Sequence, residues 1–278
     1  MINKLKNTLK VYKTTVFLIT LLILLILTGF LVFQKFVPQK QEAFLEEVDL
    51  SFDSEGPFAL LFPRRDGNAL ILNLKRTFSY GRISYELAYN AEGIDRGVMG
   101  EIDTKDKKGE YEQEILFGTC SKKVCKYDQG VENGTLILHI KRGKEALRMI
   151  TQWHLQRPDV ALGQLSSGDG HFIYKVDADR QALSNVGFSI INDLTGVQKL
   201  PQDKKIVGKV YALNTPLTRG IPEGVVEIEL AEKPPLDAKI ARFNESENKW
   251  IEFETKMDGS KLSGKADGSG IFAVLVSK

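Results

Sequence analysis

From residue 68 onward, apolar and polar residues alternate in short runs. In "TLILHIK", Leu136, Leu138 and Ile140 share one side of an extended chain, and Thr135, Ile137, His139 and Lys141 share the other. Successive strand side chains point to opposite faces, so this spacing predicts a half-buried strand. The runs 68–76, 82–89, 110–117, 135–142 and 147–156 read alike, separated by the turn signals "RRDGN" (64–68), "VENGT" (131–135) and "SSGDG" (166–170). Six further runs follow, at 209–213, 224–230, 238–244, 250–255, 261–266 and 270–277. Within "VVEIEL", Val226, Ile228 and Leu230 are expected to face a core while Glu227 and Glu229 stay wet. The last run, "GIFAVLVS", is almost wholly apolar. It predicts a central strand covered on both faces, because a bare apolar edge invites aggregation. No long amphipathic helix is expected after residue 50. Short strands with recurring turns predict a sandwich or barrel. The expected fold class is mainly β, with two β-sandwich-like domains at 46–180 and 181–278.

One segment breaks this pattern. Thr14 to Phe33, "TTVFLITLLILLILTGFLVF", carries no charge. At the helical rise it would cover about 30 Å, the thickness of a bilayer's hydrocarbon core. A soluble helix keeps a polar face, and this stretch has none. A transmembrane helix is therefore expected over 14–36, after a basic tail at 1–13 and before a polar stalk at 37–45. Lys4, Lys6, Lys10 and Lys13 precede the apolar run; only Lys35 and Lys40 follow it closely. This lysine excess predicts a cytoplasmic N-terminus and extracytoplasmic domains, with the lipid bilayer as a partner. A cleaved signal peptide would have a shorter apolar region and a small-residue cleavage site. "FVPQKQEAF" (36–44) offers no such site.

Charge changes meaning once the chain is divided. The total is +2, yet the first forty residues hold six lysines and no acid, which leaves four net negative charges on residues 41–278. No basic stripe interleaved with aromatics appears there, so nucleic acid is not an expected partner. The two cysteines, Cys120 and Cys125, cannot complete a four-ligand zinc site alone, and the redox spacing C-x-x-C is absent. Outside the cytoplasm thiols tend to be oxidised. A local disulfide is expected, with a free reactive pair as the alternative. Closing so short a loop stabilises by only about 2 kcal/mol in the chain-entropy model.

The order "GVVEIELAEKPPLDAKIARFNESENKWIEFET…GSGIFAVL" resembles the terminal β-sandwich modules of bacterial cell-envelope proteins. Those modules end with a tryptophan-bearing strand, a turn and a Gly-x-Phe/Tyr-Ala-Val/Leu-Leu strand. Trp250 and Gly270–Leu275 occupy those places. Some relatives self-cleave at a His-Phe-Ser/Thr step before that strand; here the chain reads Ser269-Gly270-Ile271-Phe272, and self-cleavage is not implied. The layout as a whole resembles uncharacterised single-pass membrane proteins of small-genome candidate-phylum bacteria, which implies no function.

Candidate chemistry is sparse. His139, His154 and His171 could converge on zinc, but no pair sits at i, i+2 on one strand. Trp153 and His154 are adjacent, so they point to opposite faces. "LSSGDGHF" (165–172) gathers Ser166, Ser167, Asp169 and His171, yet neighbours in one glycine turn rarely form a nucleophile triad, and no G-x-S-x-G elbow is present. The segment reads as a flexible turn. Glu112/Glu114 and Glu227/Glu229 are each about 7 Å apart on one strand face, within the range of a glycosidase pair, but solvated strand faces look the same. "DAD" (177–179) could ligate calcium, although no twelve-residue loop with a closing glutamate follows. "NGT" (133–135) and "NES" (244–246) match a common glycosylation triplet. Arg64 and Arg65 form a turn pair able to grip an acidic partner.

No catalytic, metal or cofactor residue is assigned from this inventory, and no cofactor is expected. The chain reads as a non-enzymatic structural, adhesive or ligand-binding protein of the cell envelope, with another envelope protein or a polysaccharide as partner. An envelope hydrolase acting on glycan or peptide is the alternative.

Overall fold

In a computed structural model the alternating runs become strands. The structure describes residues 46–278 apart from 78–80, 107, 123, 160–161, 177–179 and 217–219, together with Leu22, Leu24 and Thr28. The first twelve strands are β1 (Glu47–Asp49), β2 (Phe58–Pro63), β3 (Ala69–Lys75), β4 (Arg82–Ala91), β5 (Ile94–Ile102), β6 (Tyr111–Leu116), β7 (Gly118–Ser121), β8 (Val124–Tyr127), β9 (Asn133–Arg142), β10 (Glu145–Gln156), β11 (Gln164–Ser166) and β12 (Phe172–Lys175). After a 3-10 turn over Arg180–Asn185 come β13 (Ser189–Asp193), β14 (Lys204–Asn214), β15 (Glu223–Glu229), β16 (Lys239–Asn244), β17 (Lys249–Glu252), β18 (Thr255–Asp258), β19 (Lys261–Asp267) and β20 (Gly270–Ser277).

One long sheet organises them, in the order β17-β16-β20-β14-β13-β10-β9-β4-β5, with β1 joined in parallel to β10. Its inner face is covered by the sheet β2-β3-β6. Leu70, Leu72 and Leu74 of β3 there meet Leu87, Leu136, Leu138 and Met149 of the long sheet in one core. Farther along, Phe58 and Leu60 of β2 pack with Ala212, Ile271, Ala273 and Leu275 in a second. Two side chains rise from the long sheet and bind the backbone of β2. Asn192 donates to the Ala59 carbonyl at 3.0 Å and accepts from the Leu61 amide at 3.3 Å, and Asn214 donates to the Leu61 carbonyl at 3.0 Å. The outer face is covered at β13, β14, β20 and β16 by the sheet β11-β12-β15-β19-β18, through a third core containing Phe172, Tyr174, Tyr211, Phe272 and Val274. The outer face of β4, β9 and β10 carries no such sheet, and its residues are half-buried or exposed along much of their length.

Most strand-level expectations hold, although the run 250–255 divides between β17 and β18, which lie in different sheets. Leu136, Leu138 and Ile140 are buried, as are Val226, Ile228 and Leu230. β20 lies between β14 and β16 and buries both faces.

The fold class needs two corrections. The first is the division into two domains: Glu46–Lys278 forms one compact unit. Strands from either side of the expected boundary at 181 pair directly, β10 with β13 and β12 with β15. Proline clusters and turns mark chain reversals, but which strand a reversal returns to is set by long-range pairing. The second is the transmembrane helix: among the described residues no helix is long and apolar enough to cross a membrane. Leu22, Leu24 and Thr28, the described residues of the uncharged run, are helical, but isolated helical positions do not make a segment of the length a bilayer demands. Nearly all of 14–36, the stalk at 37–45, and Lys4, Lys6, Lys10 and Lys13 lie outside the described residues.

Candidate functional site

The open part of the outer face holds a groove of about 700 Å³ that runs across the strands. Strand register builds its floor. Gly97 pairs with Ala88, Ala88 with Thr135, and Thr135 with Gln152. Between β10 and β13 the last ladder pair is Trp153↔Asn192. One step beyond, the Gln152 amide N–H donates to Asp193 Oδ1 at 2.7 Å, so a side chain stands in for the ladder bond. Asp193 in turn pairs with Tyr211. A single row, Gly97–Ala88–Thr135–Gln152–Asp193–Tyr211, thus crosses six strands on one face.

Small residues at one end of the row keep the floor low. A ridge flanks it, formed by Met99, Glu86, Ile137 and Ile150, which are cross-strand neighbours in register. On the other flank stand Asn90, Asp95, Asn133 and His154. His154 Nδ1 donates to Asn133 Oδ1 at 2.7 Å, and Asn90 Nδ2 donates to Asp95 Oδ1 at 3.0 Å. Beneath the floor, the Trp153 indole stacks on Phe117 at 5.6 Å. Gly134 makes this possible: a Cβ there would stand 2.2 Å from the indole and 2.4 Å from the Ala88 carbonyl.

The turn between β11 and β12 closes one end of the groove. Asp169 Oδ1 accepts from the Ser167 hydroxyl at 2.5 Å and the His171 amide at 3.2 Å; Oδ2 accepts from Lys209 Nζ at 2.9 Å and the Tyr211 hydroxyl at 3.2 Å. Lys209 reaches it because the β14–β20 ladder is interrupted between Val207 and Tyr211, where Gly208 adopts a φ of 76°. That backbone conformation suits glycine, which has no Cβ to clash. Four donors occupy the four lone-pair sites of the Asp169 carboxylate. The turn that reads as flexible in sequence is therefore a bonded wall.

Electrostatics separate the two groove aspartates. Burial would raise the Asp169 carboxyl, but the hydrogen bonds from Ser167 and Lys209 outweigh it and hold its pKa at about 2. Asp193 moves the other way, pushed up chiefly by burial. Burial, and then the neighbouring Asp169 charge, raises the Tyr211 hydroxyl. Burial also lowers His154, which favours the neutral ring. The cations are engaged: Lys209 is tied to Asp169, and Arg96 lies 4.0 Å from Asp128.

The residues singled out from sequence are scattered. Cys120 and Cys125 form a disulfide as a direct cross-strand pair in the β7–β8 hairpin, away from the groove lining. His139 binds Glu47 of β1 at 2.9 Å and faces Glu86 at 3.4 Å, so it fastens β1 to the sheet. His154 stands beside the groove floor and His171 at the end of its closing turn. Among the described residues no group of three or more His, Cys, Asp or Glu is placed to hold a metal ion. "DAD" (177–179) lies outside the described residues. The carboxylate pairs are tied elsewhere: Glu114 to Arg64, Glu227 to Lys175 and Glu229 to Lys261. Arg64 is committed to Asp66 and Glu114 and lies over the Tyr127 ring.

Sequence reasoning missed Thr135, Gln152 and Asp193 as a set. Thr135 and Gln152 give only the local signal of polar residues on the outer side of alternating strands, and Asp193 ends a strand buried at its other four positions. The register that aligns them joins segments far apart in the chain.

Comparison with protein families finds no matching family model, and comparison with curated proteins finds no match. Among solved structures the chain is similar to a cycloalternan-degrading enzyme from Trueperella pyogenes, in complex with isomaltose, at 11% identity and a TM-score of 0.20. The match covers 64% of this chain and 18% of that one, so the chain spans under a fifth of that enzyme's length. A likeness at that score supports no conclusion about this chain.

Proposed function

We propose that this is a non-enzymatic ligand-binding protein that lays a segment of a saccharide chain across the groove. The observation that carries the reading is the cross-strand row itself. It offers a low floor and polar side chains whose orientations are fixed by neighbours. Thr135 Oγ1 donates to Gln152 Oε1 at 3.0 Å, as His154 does to Asn133, so each amide is turned with its NH2 group available. Fixed donors and acceptors on a concave surface suit hydroxyl-rich ligands. A peptide would be held best by a strand edge, where backbone groups are free to pair. Apart from β5 at the sheet's end, the floor is instead the face of strands already paired on both sides. Anionic ligands are disfavoured by Asp193 and Asp169 and by the engagement of Lys209 and Arg96.

Asp169 is the reason for preferring binding over hydrolysis. A nucleophile or general base needs a free lone pair, and every lone pair of this carboxylate is occupied. The Cys120–Cys125 disulfide supports work in an oxidising compartment outside the cytoplasm. Isothermal titration of the full chain with neutral oligosaccharides tests the reading. Binding that weakens about tenfold in a Thr135→Ala/Gln152→Ala double variant is the expected result. Unchanged binding, or new reducing ends formed by wild type and not by Asp193→Asn, would overturn it.

A further inference from the structure

We infer that the groove selects sugars carrying an acetamido group, recognised jointly by Gln152, Asp193 and the Ile137/Ile150 ridge; this rests on the saccharide reading above.

Three features stand together, two on the floor and one on its flank. The first is a donor. Gln152 Oε1 is occupied by the Thr135 hydroxyl, and its Nε2 has no partner among the described residues. The second is an acceptor. Asp193 Oδ1 takes the Gln152 backbone N–H, while Oδ2 receives no hydrogen bond from another described residue. Because Asp193 is bonded to Gln152 itself, donor and acceptor are neighbours by construction. The third is apolar. Ile150 precedes Gln152 by two residues on the same strand face, and Ile137 is its cross-strand partner. Both isoleucines are half-buried on a face that is otherwise polar at this point.

An acetamido group matches all three. Its carbonyl accepts from Gln152 Nε2, its N–H donates to Asp193 Oδ2, and its methyl rests on the isoleucine ridge. A hydroxyl can satisfy the polar pair but leaves the ridge bare. A carboxylate or phosphate fails at Asp193, where like charges meet. The group needed is therefore a secondary amide bearing a small apolar end, which N-acetylated hexosamines supply on a neutral ring.

The experiment compares two oligosaccharides of equal length and linkage, β-1,4-linked N-acetylglucosamine and β-1,4-linked glucose, titrated into the full chain by calorimetry. Since a hydroxyl can make the polar contacts too, the methyl contact carries the difference and predicts a preference of about fourfold for the acetylated chain. Ile150→Ala, at a half-buried position, is expected to shrink that preference while leaving affinity for the glucose chain nearly unchanged, whereas Gln152→Ala should weaken both chains. Equal wild-type affinities would overturn the acetamido assignment and leave the saccharide reading standing. Binding of neither oligosaccharide would overturn both. Capture of an N-acetylated peptide instead of either sugar would also overturn both and assign the groove to peptides.

Discussion

The long sheet treats its two halves differently. At β20, apolar side chains leave both faces: Phe272, Val274 and Val276 enter one core, and Ile271, Ala273 and Leu275 enter another. At β9 only one face is apolar. Leu136, Leu138 and Ile140 are buried, while Thr135, Ile137 and His139 look outward. β20 commits Ile271–Val276 to packing and leaves nothing there for recognition. β9 is held from one side, and its free face carries part of the aligned polar row. Stability and recognition are thus separated along one sheet.

The largest expected contrast is mutational. Phe272 packs against the Phe172 ring at 5.4 Å and is fully buried. Phe272→Ala should cost about 3–5 kcal/mol in urea unfolding. Ile137→Ala on the open face should cost less than about 1 kcal/mol. Equal losses would show that the two halves do not differ in this way.

Gly134→Ala tests the floor from beneath. The added methyl would collide with the Trp153 ring and the Ala88 carbonyl, and overpacking of this kind costs about 1–3 kcal/mol. Thermal melting should register the loss, and intrinsic tryptophan fluorescence should shift as the indole is displaced.

Removing the disulfide with Cys120→Ala and Cys125→Ala should cost about 2 kcal/mol or less, since it closes only the β7–β8 hairpin. The fold and the groove should survive. Loss of saccharide binding in this variant would connect the hairpin to the site and contradict the separation of the two.

The smallest effect concerns acid. The Asp169 pKa lies below its ordinary value, so its stabilisation is complete above about pH 4 and fades as pH falls toward 2. Asp169→Asn should remove about 1–2 kcal/mol at neutral pH, allowing for solvent screening at Lys209, and should flatten that acid limb. Asp193 has the opposite sign. Its pKa is raised, so ionising it costs stability in the folded state, and acidification through the raised pKa returns some. Asp193→Asn should abolish that gain. Denaturant midpoints measured from neutral to acid pH separate the two contributions.

Much of this contrast can be read in the sequence. "GIFAVLVS" announces a strand buried on both faces, and "TLILHIK" one buried on a single face, because side-chain period and burial are local consequences of the strand. The number of folding units is not local. The ladders joining β10 to β13 and β12 to β15 cross a boundary that prolines and turns suggest. The site is harder still. Thr135 sits inside a glycosylation triplet, Gln152 is one polar residue in a strand, and Asp193 ends another. None is unusual where it stands; they become a site only when register aligns them. "SSGDG" reads as mobile because its glycines are visible in sequence, while its partners Lys209 and Tyr211 lie far along the chain.

The most direct test is a nuclear magnetic resonance titration of the isotope-labelled full chain with an oligosaccharide of N-acetylglucosamine. The side-chain NH2 signals of Gln152 and Asn133, with backbone amides of Thr135, Asp169 and Asp193, should shift most and saturate together. Shifts centred on the Cys120–Cys125 hairpin or on the β16–β20 region, with the groove signals unmoved, would contradict the claim that the open half of the sheet is the binding surface.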